Sequence, residues 1–359
     1  MNTTPPTALS DALRNRRNLL AERLVDRQYA LQPELAARYG DAGRQRCLED
    51  ASIHLAMLAQ SLAVGRAELF VDYIAWARVM LERRGIPADD LARHLAIMRD
   101  VLREELGSQF AEPAVLLVDS SIRAMPSMPR DVPSFLDEGA PLAALAREYL
   151  DLTLSGQRRL ASERVVAAVQ GGVSPASIYV DVFQRCQRET GRLWQTNQIS
   201  VAQEHHVSAV TQMTMSQLYP LILGDSRAGA GTLVAACAAG DLHEIGLRMV
   251  ADLLEQDGWD VIYLGANTPA PAVRQMLVDR QARLLVISAS LALHLSAVQQ
   301  LIDLVRADAA CDHVKILVGG YPFNLCPGLW KQMGADGHGV DAPEAVAIAR
   351  GVRLAAAAP

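Results

Sequence analysis

The chain has 359 residues, half of them apolar, which is enough for two or three packed domains at about 100 to 200 residues each. A formal charge of -6 excludes a protein built to coat nucleic acid or an anionic membrane, and with only Lys315 and Lys331 as lysines among 34 basic residues the cations reflect composition rather than a phosphate site. Residues 1–30 carry charges throughout, no uncharged apolar run approaches the roughly 18 residues of a membrane span, and the cysteines at 47, 186, 237, 311 and 326 have no paired spacing; a protein of the reducing cytoplasm, without signal or anchor, is expected.

In chain order, residues 8–125 read as helix almost throughout, with apolar residues at three- and four-residue intervals around Leu20, Leu24 and Leu31, in 54–62 and in 70–81. Breaks are predicted at Gly40, Gly65, Gly85 to Pro87 and Gly107, and Pro87 followed by Asp89 and Asp90 is a helix start. Three prolines within residues 125–133 cannot continue a helix and mark a domain boundary. A second helical stretch follows near 139–154, 157–169 and 175–195; Ser200 to Gln203 is a capping box that starts another helix through Glu204, His205 and His206 to Leu218. Trp194 therefore ends one helix and Glu204 and His205 begin the next, so that across a helix-turn-helix they can face one ligand.

From residue 229 the pattern alternates: strands near 232–238, 260–264, 284–288, 314–318 and 335–340, with helices between them and a last one from Pro343 to Leu354, as five parallel strands of a doubly wound, flavodoxin-like sheet would require. The stretch Gly240, Asp241, Leu242, His243, Glu244, Ile245, Gly246 falls between the first strand and its helix, at the carboxyl end of the sheet. There Asp-x-His-x-x-Gly supplies an imidazole for a metal, a carboxylate to hold its other nitrogen, and a glycine where a ligand can approach the backbone; this is the equipment of a His-ligated cobalt corrinoid. Forty-one residues separate Gly246 from Ser288, and the next strand ends in Gly319 and Gly320.

These three signals resemble the cobalamin-binding domain of methionine synthase and its relatives, over roughly residues 229–355. The resemblance implies His243 as the lower cobalt ligand, Asp241 as its partner, and Gly246, Ser288, Ser290, Leu291, Gly319 and Gly320 around the cofactor; Ser290 stands where that family usually has leucine, and Leu291 comes one place later. Trp194 followed after nine residues by Glu204 and His205 resembles the signature of cobalamin-dependent photoreceptors, in which a helical bundle caps the upper cobalamin face and the tryptophan packs against the adenosyl group. Gln195 stands where the light-sensing carotenoid-gene repressors have a cobalt-binding histidine, which leaves His205, His206 or water for that position after illumination. Residues 69–86 and 89–106 resemble the haem-free globin-like sensor domains, with His94 read as a satisfied interhelical histidine rather than a haem ligand.

The expectation is a multi-domain α and α/β chain: a globin-like helical domain (1–130), a helical bundle cap (138–225) and a flavodoxin-like, Rossmann-type cobalamin-binding domain (229–359). That order resembles the photocobilins and implies a light sensor rather than an enzyme, binding adenosylcobalamin and biliverdin and signalling to a separate protein, without nucleic acid or membrane; homo-oligomerisation stays open. Two alternatives stand beside it: a cobalamin-only photosensor or antirepressor, and a corrinoid methyl carrier.

Overall fold

A computed structural model describes residues 6–223, 229 and 231–357. The chain divides into two compact units, Met1–Asp131 and Val132–Pro359.

The first unit is helical: α1 (Pro6–Asn15), α2 (Arg17–Leu31), α3 (Glu34–Ala63), α4 (Ala67–Glu82), α5 (Ala88–Leu106) and α6 (Ser108–Ala124). Its apolar stripes meet in a core that fully buries Leu20, Leu24, Leu58, Phe70, Leu95 and Val118. Gly65, Gly85 and Gly107 have φ of 63°, 80° and 82°, where side chains strain the backbone, and each lies where a helix stops. Gly40 behaves otherwise: its φ of 61° and ψ of -165° bend α3 without ending it, so the predicted break is a kink. The buried guanidinium of Arg78 donates to the carbonyls of Met125 and Met128 and so fastens the end of the unit to α4.

The second unit opens with α7 (Ala143–Leu154) and α8 (Arg158–Gln170). Ser174 then caps α9 (Pro175–Ser177), which runs through a π-helical segment (Ile178–Gln184) into α10 (Arg185–Gln195). The expected capping box is present, Ser200 accepting from the Gln203 amide while the Gln203 side chain accepts from the Ser200 amide, and it launches α11 (Val201–Ile222).

Beyond these helices come β1 (Thr232–Cys237), α12 (Ile245–Gln256), β2 (Asp260–Gly265), α13 (Ala270–Asp279), β3 (Leu284–Ser288), α14 (Leu295–Arg306), β4 (Lys315–Gly319), α15 (Tyr321–Leu325), α16 (Leu329–Gln332), β5 (Gly337–Gly339) and α17 (Ala342–Ala357). The sheet is parallel, in the order β2-β1-β3-β4-β5. Its central strands β1 and β3 are buried nearly end to end, as helices on both faces demand. Connections leave β1 and β3 in opposite directions, which makes a crevice at their carboxyl ends. The register sharpens it: Cys237 pairs with Ser288, Ser288 with Gly319 and Gly319 with Gly339, so four strand ends lie in one row.

Helix α12 joins the bundle to the sheet. Met249 and Leu253 share a core with Tyr179, Phe183, Val207 and Leu218, while Tyr179 donates to Asp252 at 2.6 Å and Tyr219 to Glu255 at 2.9 Å.

Candidate functional site

The loop after β1 is shaped by backbone contacts that leave one imidazole outside. The Ala238 amide donates to the Ser288 carbonyl at 2.9 Å, continuing the β1–β3 ladder by one step. Gly240 then turns with φ of 87°, its amide donating to Asn267 Oδ1 at 2.8 Å, and the Asn267 amide returns a bond to the Asp241 carbonyl at 3.0 Å.

Asp241 is fully buried, yet its carboxylate is satisfied: Oδ1 accepts from the His243 amide at 3.0 Å and from His243 Nδ1 at 2.8 Å, and Oδ2 accepts from the Ser290 amide at 2.6 Å. Burial pushes its pKa up, but the bonds from His243 and Ser290 outweigh it and hold the group below the usual carboxylate range. The His243 side chain is 60% exposed. With Nδ1–H committed to Asp241, Nε2 is left as the lone pair of a largely exposed ring. The Asp241 bond raises the His243 pKa against partial desolvation, and the charge of Glu204 adds to the rise, so the first turn of α11 stands within electrostatic reach of this imidazole.

The surroundings leave room. Leu242 and Leu291 are 72% and 42% exposed on either side of the crevice, and a methyl group added at Gly246, in the first turn of α12, would meet no atom of the chain. Gly320 is the reverse case: with φ of 111°, a Cβ there would sit 2.0 Å from the Ala289 carbonyl oxygen. Gly319 lies against the Gly339 carbonyl, and its own carbonyl accepts from the Ala289 amide at 3.0 Å, so the glycine pair presses β4 onto the end of β3.

On the bundle side, Trp194 is half-buried in the last turn of α10 and Gln195 is buried. Glu204 is half-buried and accepts from Ser208 at 3.2 Å; His205 is 76% exposed, its Nε2 3.3 Å from Glu204 Oε2. His206 turns inward, with a buried Nε2 that has no hydrogen-bond partner.

Three contributors escape a reading of the sequence. Glu244, next to His243, accepts from the Ala266 amide at 3.0 Å, from the Tyr263 hydroxyl at 3.2 Å and from Gln212 of α11 at 3.1 Å, tying the loop to both β2 and the bundle. Asn267 takes a left-handed conformation with φ of 50°, for which the Asn-Thr-Pro sequence after β2 is the only local signal. His294 lies against Gly240, where a Cβ would approach its Nδ1 to 3.2 Å.

A pinned imidazole with a free Nε2, exposed leucines beside it and open space at Gly246 fit a planar metal macrocycle held from below. Comparison with known proteins agrees. Residues 231–347 match the family model of the B12 binding domain, and residues 145–219 match a second family model of the same description. Dimethylamine corrinoid protein 3 of Methanosarcina acetivorans is 27% identical over 220 residues, which is 60% of this chain and all of that protein. Dimethylamine corrinoid protein 2 of Methanosarcina mazei is 27% identical over 219 residues, covering 58% of this chain and 97% of that one. The solved monomethylamine corrinoid protein of Methanosarcina barkeri superposes with a TM-score of 0.53 at 22% identity, over 59% of this chain and all of that chain, and so shares the fold. Among the described residues no helix is long and apolar enough to cross a membrane.

Proposed function

Starting from a cobalamin-binding module over residues 145–347, we propose that the chain carries a corrinoid with His243 as lower cobalt ligand and holds the group on the upper cobalt face beneath its helical bundle. The observation that carries this is the His243 ring itself, fixed at Nδ1 by a buried carboxylate and bare at Nε2. The bound corrinoid supplies a cobalt–carbon bond that can be made and broken. The chain supplies the rest: Asp241 sets the tautomer, Gly246, Ser288, Ser290 and Leu291 with Gly319 and Gly320 line the crevice, and Trp194, Glu204 and His205 form the wall above. On this reading the chain acts as a carrier served by separate proteins.

The curated relatives favour a methyl group as the cargo, since they are corrinoid proteins of methylamine metabolism by name. This is the alternative of the sequence reading, and it now has the better support. A second reading is favoured by one feature, the sequence pattern of Trp194, Glu204 and His205, of which Glu204 acts electrostatically on His243: a light sensor holding adenosylcobalamin, with biliverdin bound through a globin-like first unit. Under that reading the output goes to a partner protein.

The experiment loads the full chain with methylcobalamin or adenosylcobalamin and follows absorption in the dark and under green light, with and without biliverdin. A carrier binds the methyl form with His243 in place of the cofactor's own base, and His243→Ala loses that spectrum. Strong preference for the adenosyl form, together with a far-red biliverdin band, moves the assignment to the sensor. An unchanged spectrum and affinity in His243→Ala rejects the lower ligand under either reading.

A further inference from the structure

The loop that carries His243 is held from the sheet and from the bundle. Its Asp241 end is fixed to β3 by the Ser290 amide and to the turn after β2 by Asn267. Its other end is Glu244, which occupies the N-cap of α12 yet makes no capping bond, so the carboxylate is not used by its own helix. Oε2 accepts from the Ala266 amide at 3.0 Å and from the Tyr263 hydroxyl at 3.2 Å, while Oε1 accepts from Gln212 Nε2 of α11 at 3.1 Å. The backbone of β2 bends to receive this carboxylate: Ala235 pairs with Tyr263 but Ala236 with Gly265, so the ladder skips Leu264, and Gly265 takes φ of 71°. A Cβ at Gly265 would lie 2.8 Å from Glu244 Oε2, closer than carbon and oxygen pack.

On the bundle side Gln212 is held twice. Its carbonyl accepts from Arg248 Nη1 at 3.3 Å, and Arg248 Nη2 donates to Ser216, one turn further along α11, at 2.8 Å. The bond from Tyr219 to Glu255 at 2.9 Å joins the same two helices near the other end of α12 and can serve packing alone. Glu244 differs in being the residue next to the imidazole. We propose that Glu244 is a positioning residue through which the bundle, and not the sheet alone, holds His243 ready to ligate a metal, a role that presupposes the corrinoid reading above. With Gln212 bonded, the chain is fixed on both sides of His243, and little conformational freedom is left to lose when Nε2 takes its ligand. With Gln212 withdrawn, the loop is tied to the sheet only and ligation weakens. By linkage the effect is reciprocal, so ligation at His243 tightens the seat of α11 on α12.

The test loads the full chain with methylcobalamin and reads two quantities: the ratio of imidazole-ligated to unligated cobalt by visible absorption, and the exchange of α11 amides in heavy water. Gln212→Glu sets two carboxylates against each other across the 3.1 Å contact without shortening the side chain; the ratio is expected to fall at least about fivefold and α11 to exchange faster. Glu244→Gln keeps the tie, because its amide oxygen still accepts from Ala266 and Tyr263 and Gln212 can turn its own amide to accept from the new one. Adding Glu244→Gln to Gln212→Glu again sets a donor against an acceptor, and the ratio should return to within about twofold of the parent. Urea midpoints of the apoproteins check folding, and if Gln212→Glu does not fold, Gln212→Ala replaces it with the same fall expected. A ratio unchanged in the Gln212 variant, or lost there and not restored by Glu244→Gln, overturns the proposal, and the corrinoid reading survives if His243→Ala abolishes the imidazole spectrum. A parent-like spectrum in His243→Ala overturns both.

Discussion

Gly320 and Gly246 occupy the same crevice for opposite reasons, and alanine separates them. A methyl group at Gly320 meets the Ala289 carbonyl at 2.0 Å in a backbone of φ 111°, so Gly320→Ala is expected to cost about 3 kcal/mol or more, from strain of order 1–3 kcal/mol plus the displaced carbonyl. A parent-like urea midpoint would contradict that. Gly246→Ala meets nothing and relieves a glycine inside a helix, so the apoprotein should be unchanged or stabilised by up to about 1 kcal/mol while cobalamin binds more weakly; equal affinity would mean the space at Gly246 is not used. The sequence made the spacing of Asp241, His243 and Gly246 legible, because all three belong to one short loop. It could not reveal what Ser290 does, since that residue reaches Asp241 through its backbone amide, which every residue except proline has. Glu244 was hidden differently: its partners Gln212 and Ala266 lie 32 and 22 residues away.

Between elements, the contact of the π-helical segment with α12 makes a pH-dependent joint. Asp252 is 6% exposed and accepts from Tyr179 at 2.6 Å, and burial raises its pKa to about 6, the tyrosine bond and Arg248 only partly opposing. The folded chain thus holds this proton where the unfolded chain, at the ordinary value of 3.8, releases it, so stability falls as pH rises from about 4 to 6 and stays lower above. The two-unit rise amounts to roughly 3 kcal/mol. Asp252→Asn keeps an oxygen acceptor for Tyr179 and removes the charge; denaturant melts at pH 4.5 and 7.5 should differ less in the variant than in the parent, and an equal difference would show that Asp252 is not the group responsible. The capping box of α11 was readable because both partners sit within four residues. The π-helical segment was not, because an unbroken apolar rhythm across 175–195 does not report one residue inserted into a turn.

As a whole molecule the chain is two units, and the B12-binding domain matches both fall in the second. Residues 132–359 alone are expected to bind cobalamin about as tightly as the full chain, whereas biliverdin binding, on the sensor reading, should require residues 1–131; a cobalamin titration that fails on the shorter chain, or a biliverdin band that persists in it, would reverse the allocation. Five parallel strands with helices between them could be anticipated from the alternating pattern, but the kink at Gly40 and the bare nitrogens of His54 and His94 depend on which residues tertiary packing brings together. The π-helical segment also sets an angular phase for everything after it. Each residue of a helix advances the direction of its side chains by about 100°, so deleting one residue between Ile178 and Gln184 would turn Trp194 by about that much against the face of Tyr149 and Val165 that now anchors the bundle. The extra residue works like a vernier, keeping one helix in step with a buried bundle at its start and setting the direction of Trp194 at its end.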